Sequence, residues 1–138
     1  MRKTILVLLV ILSVLALAAC GGGGDDTADA GTAVGNAANG ERLFAQATIG
    51  PANAPGCITC HSLEEGVVLT GPAQNDVGAR AAGRVPGMSA EDYLHESIVD
   101  PNAYVVEGFD AGVMYQTFGE ELTEEQINDL VAYLLTLQ

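Results

Sequence analysis

The sequence predicts an all-α fold, and three observations carry that expectation. Apolar residues recur at helical spacing in three separate stretches, each preceded by a residue suited to capping a helix. No stretch alternates apolar and polar residues as a half-buried strand does. The last stretch also carries a full set of helix-start signals.

In chain order, the first 19 residues stand apart. Met1-Arg2-Lys3 gives a positive start, Ile5 to Leu17 is an almost unbroken apolar run, and Leu17-Ala18-Ala19-Cys20 sets small residues before a cysteine. This resembles the lipobox of bacterial lipoproteins, which implies cleavage before Cys20 and acylation of that cysteine. An uncleaved anchor would need a longer apolar run, because a spanning helix takes about 20 residues. Residues 20–38 then read as a lipidated flexible tether. Between Gly21 and Ala38 the only bulky residue is Val34, too little apolar surface to offset the entropy of ordering the segment. The expected organisation is signal peptide 1–19, tether 20–38 and folded domain 39–138.

The domain's first helix is expected from a cap at Asn39 to about Gln46, with Glu41 in its first turn and Leu43, Phe44 and Ala47 inward. Residues 48–56 hold Pro51, Pro55 and two glycines and read as a surface loop. A short helix is expected near 75–82, weakened by Gly78. Ser89, with Asp92 three residues on, starts a helix that turns Tyr93, Leu94 and Ile98 inward and stops at Asp100-Pro101. Residues 102–119 show no period and read as a loop. The last helix has a capping box of Thr123 and Gln126, with Leu122 and Ile127 placed for a hydrophobic staple. Ile127, Leu130, Val131 and Leu134 form its inward face, leaving Glu124, Glu125, Asn128 and Asp129 outside.

Between the first two helices lies Cys57-Ile58-Thr59-Cys60-His61, a C-x-x-C-H run. This pattern points to covalent attachment of a c-type haem: each thiol can add to one porphyrin vinyl group, and the histidine becomes an axial ligand of the iron. A redox dithiol would be expected within a βαβ pattern, which is absent, and a structural zinc site would need a fourth ligand. One cysteine for lipid and two for haem account for all three, so no disulfide is implied. For the sixth iron position the candidates are Met88, His95 and Met114. Met114 is preferred because it lies in the unpatterned loop, whereas Met88 reads as core filler and His95 as a solvent-facing residue.

On these residues the stretch from about 36 to 138 resembles a class I monohaem cytochrome c. Gly40 and Phe44 have the family's first-helix spacing, and Leu130 and Tyr133 that of the last-helix residues crossing it. Gly71-Pro72 is similar to the turn whose proline carbonyl accepts the proximal histidine Nδ1–H, and Met114 matches the distal ligand in order and position. The resemblance implies several helices wrapped around one haem c, with first and last helices crossing. The tract from Ser97 to Leu134 is similar to haem c domains of respiratory membrane complexes, including oxidase subunits and the monohaem lipoprotein of alternative complex III. One departure is Tyr115, where the family usually has proline; it bears on the loop's rigidity and not on the ligand. Arg80, Arg84 and Tyr104 lie where partners for the haem propionates are expected, Arg80 foremost.

The formal charge of the whole chain is −13. Without residues 1–19 three arginines face all 18 acidic residues, a charge of −15. Such a surface is expected to repel nucleic acid and anionic lipid, and either steers the domain toward basic partners at a rate that falls with salt or serves plain solubility. The functional expectation is electron transfer by a single His61/Met114-ligated haem c at the membrane surface, as a carrier or a subunit of a respiratory or photosynthetic electron-transfer complex, rather than enzymatic chemistry. Its address would be extracytoplasmic, lipid-anchored to a bacterial membrane, because haem thioethers are made outside the cytoplasm in the systems this motif resembles. Expected partners are redox proteins such as a quinol-oxidising complex and a terminal oxidase or photosynthetic acceptor. The rival is a haem enzyme or gas sensor with an open sixth position and His95 nearby.

Overall fold

The computed structural model describes residues 35–138. The expected signal segment, Cys20 and the tether up to residue 34 lie outside the described residues. Five helices follow in order: α1 Ala37–Phe44, α2 Val77–Ala81, α3 Ala90–Val99, α4 Phe118–Glu121 and α5 Glu124–Thr136. This is the all-α arrangement that the sequence predicts.

The largest interface between elements is α1 against α5. Gly40 makes it possible: a Cβ built there would lie 1.9 Å from the Asp129 carbonyl oxygen, so only glycine lets the two backbones touch. The Phe44 and Tyr133 rings close the crossing, 5.6 Å apart and tilted by 57°. Helix α5 begins as its sequence indicates. Thr123 Oγ1 accepts from Gln126 N at 3.2 Å and Gln126 Oε1 accepts from Thr123 N at 3.0 Å, while Leu122 and Ile127 are both buried. Helix α3 starts with Ser89 Oγ accepting from Asp92 N at 3.0 Å. Its Tyr93, Leu94 and Ile98 are buried. Helix α2, shorter than expected, is seated on the end of α5 by a 2.8 Å bond from Gly78 N to the Leu137 carbonyl.

Several local expectations are corrected. The cap of α1 is Asn36, not Asn39, and the helix begins at Ala37, inside the stretch read as tether. The Asn36 side chain accepts from Asn39 N at 3.1 Å, while its own N–H donates to Asp129 Oδ1 at 2.6 Å. Asp129 is therefore 6% exposed rather than on the outer face of α5. Glu41 falls outside the first turn of α1, and Ala47 lies beyond its end and is exposed. Residues 48–56 are more than a surface loop. Thr48–Ile49 (β1) pairs antiparallel with Ala54–Pro55 (β2), and Ile49 and Ala54 join the core. Finally, one turn of helix, α4, closes the unpatterned 102–119 stretch and buries Phe118.

Candidate functional site

The C-x-x-C-H run folds as a tight 3₁₀ turn, Cys57–Thr59. Thr59 Oγ1 donates to the Gly56 carbonyl at 2.6 Å. The amides of Cys60 and His61 both donate to the Cys57 carbonyl, at 3.1 and 2.9 Å. One turn of backbone thus gathers both thiols and the imidazole on the wall of a single cavity of about 270 Å³. Burial, with the neighbouring Cys60 adding to it, pushes the Cys57 thiol up to about 11, so it stays a neutral thiol near neutral pH.

His61 is fixed by the segment that follows. Its Nδ1 lies 2.9 Å from the Pro72 carbonyl oxygen. A carbonyl only accepts, so the proton belongs on Nδ1, and Nε2 keeps a free lone pair, the form a metal ligand needs. Burial lowers the pKa of His61 from its ordinary value, opposed in part by the Pro72 bond. Gly71 packs on the face of the ring: a Cβ there would lie 2.4 Å from His61 Cε1. Gly71 is itself tied back to the Cys60 carbonyl at 2.8 Å, and Gln74 N to the Ser62 carbonyl at 2.8 Å.

The cavity is mainly apolar, bounded by Phe44 of α1, Leu94 and Ile98 of α3, Phe118 of α4 and Leu134 of α5. Met114 lines it, whereas Met88 and His95 do not. His95 Nε2 instead faces Glu124 Oε1 at 3.2 Å, away from the cavity, and Met88 packs against the core. Among the described residues no cluster of three or more His, Cys, Asp and Glu side chains could hold a metal ion by itself. A protein-only zinc site is thereby set aside, while the donors present fit haem c: two thiols, one imidazole in the ligating tautomer, one thioether and an apolar chamber.

The sequence model of the cytochrome c family matches residues 37–138. The chain belongs to the cytochrome c family. No curated protein matches it. A covalent haem c, one for a single domain of this size, comes with that membership, and so does haem-based electron transfer in general.

In this cytochrome c the polar groups at the cavity are unequal. Arg80 lines it, but its guanidinium is already engaged, donating from Nη2 to the Ala73 carbonyl at 2.7 Å and pairing through Nε with Asp76 at 2.9 Å. Arg84 and Tyr104 also line the cavity, and Arg84 forms no ion pair among the described residues. Arg84 is thus freer than Arg80 to meet a propionate.

Sequence reasoning missed the residues that hold the Met114 loop. Asn102 Oδ1 accepts from Gly112 N at 2.8 Å, Asn102 Nδ2 donates to Gln116 Oε1, and Gln116 Nε2 donates to the Met114 carbonyl. On the inner side Tyr115 donates to Glu121 Oε1, and its ring lies 5.0 Å from that of Phe118. It also missed Gln74, whose Nε2 lies 3.3 Å from the Pro72 oxygen and 3.1 Å from His61 Nδ1. None of these pairings follows a local spacing rule, so no motif announces them.

Proposed function

We propose that this cytochrome c transfers electrons through one haem held by thioethers to Cys57 and Cys60 and ligated by His61 and Met114. The observation that carries the reading is the placement of Met114 on the same apolar cavity as a His61 whose free Nε2 is fixed by the Pro72 carbonyl. The bound haem would supply one-electron cycling of its iron. The chain's part would be to offer His61 and Met114 to the iron, to keep the chamber dry, and to hold those two side chains still between oxidation states. A methionine ligand and apolar burial raise the potential, and the surplus of carboxylates lowers it.

The setting we propose is extracytoplasmic, with the domain tethered to a bacterial membrane by a lipid on Cys20. Among the described residues no helix is long and apolar enough to cross a membrane. The acidic surface and tether suit a shuttle between a quinol-oxidising complex and a terminal oxidase or photosynthetic acceptor. The likeness of the 97–134 tract to haem c domains of respiratory complexes favours a fixed subunit. Against an enzyme or gas sensor stands the position of His95, which pairs with Glu124 instead of lining the cavity.

The test is an optical spectrum of the oxidised, haem-loaded chain beside Met114→Ala. Methionine ligation gives a weak far-red charge-transfer band in the wild type that is lost in the variant. A wild type without that band overturns the assignment of Met114.

A further inference from the structure

Glu121 is the one side chain among the described residues with a buried polar atom that has no partner: its Oε2 makes no hydrogen bond. The other oxygen is doubly used. Oε1 accepts from the Tyr115 hydroxyl and, at 3.0 Å, from Thr117 Oγ1. An orphaned buried oxygen is costly, so this carboxylate is kept for what its bonded oxygen does.

Its two donors lie one and three residues beyond Met114. Tyr115 is gripped at both ends, its hydroxyl by Glu121 and its ring by Phe118, which is 5% exposed and anchored in the core. With residue 115 fixed, the Met114 side chain keeps only its own torsions. The outer ties of the loop, through Asn102 and Gln116, are exposed and compete with water. The inner tie is half-buried and ends on a carboxylate, where a hydrogen bond is stronger.

We infer that Glu121 is a positioning residue for Met114, acting through the hydroxyls of Tyr115 and Thr117 to hold the methionine on the cavity. The inference rests on the reading of Met114 as axial ligand. It makes the closed state of the loop depend on a residue that does not line the cavity.

The experiment titrates the oxidised, haem-loaded chain with imidazole and follows the far-red band. Imidazole binds the iron only after Met114 has left, so its apparent affinity reports the open fraction of the loop. Tyr115→Phe, which removes one oxygen, and Glu121→Leu, which fills the space without an acceptor, should each raise that affinity about tenfold. The double variant should exceed the larger single effect little, because both changes break the same bond. Glu121→Gln keeps an acceptor oxygen and should stay closer to the wild type. Should Glu121→Leu not fold, Tyr115→Phe decides. A wild type that shows the band, with variants whose affinity is unchanged, overturns the inference alone. A wild type without the band overturns the Met114 assignment and the inference with it.

Discussion

On the His61 side of the cavity the proposed ligand is held by main chain, and on the Met114 side by side chains. His61 follows a 3₁₀ turn and donates its amide back to the Cys57 carbonyl, bonds a carbonyl eleven residues on, and packs against a glycine that is itself tied to Cys60. Every one of those contacts lies within the segment 56–74. Met114 depends instead on Asn102, Gln116, Tyr115, Phe118 and Glu121, a net of amide, hydroxyl, ring and carboxylate. A main-chain cradle tolerates almost no change at its contact points, whereas a side-chain net loosens by degrees. The two halves should therefore fail differently.

The largest effect is expected at the core anchor of the net. Phe118→Ala removes a buried ring that supports both the core and Tyr115, and should cost about 3 to 5 kcal/mol of stability. Chemical denaturation of the haem-loaded chain measures it, and the loss should be accompanied by weakening of the far-red band. Next comes the cradle. Gly71→Ala drives a methyl into the His61 ring, with no flexible partner to yield, and should cost about 2 to 3 kcal/mol. Its signature is an altered haem spectrum in both oxidation states, since the ring must move. If the spectrum is unchanged, the cradle is softer than the geometry states.

The same contrast explains what could be read from sequence. The C-x-x-C-H turn and the Thr123–Gln126 capping box are short-range patterns, because the groups that bond are a few residues apart, whereas Gly71-Pro72, whose carbonyl meets His61 eleven residues back, is legible through resemblance. Gly40 with Phe44 was legible through resemblance, and their packing on α5 gives the physical reason for the spacing. The cap at Asn36 and the burial of Asp129 are not legible locally, because one bond joins them across 93 residues. Ile49 and Ala54 lie in a segment dense in proline and glycine, where turn formers masked two core residues. Helix α4 is only four residues long, too short to show a period. The net around Met114 spans residues 102–121 and follows no register, so it could be found only in three dimensions.

A smaller prediction sharpens the comparison at the exposed edge of the net. Asn102→Ala removes bonds to Gly112 N and Gln116, both in water, and should cost about 1 kcal/mol or less. Amide hydrogen exchange should accelerate at Gly112 and leave the amides of Gly71 and Gln74 unchanged. Faster exchange on the His61 side would show that the two halves are one cooperative unit.

The central proposal is that His61 and Met114 would both ligate the haem iron, as suits electron transfer rather than ligand binding. Exposure of the reduced, haem-loaded chain to carbon monoxide tests it most directly. The wild-type spectrum should remain unchanged while Met114→Ala binds the gas readily; prompt binding by the wild type would contradict the account.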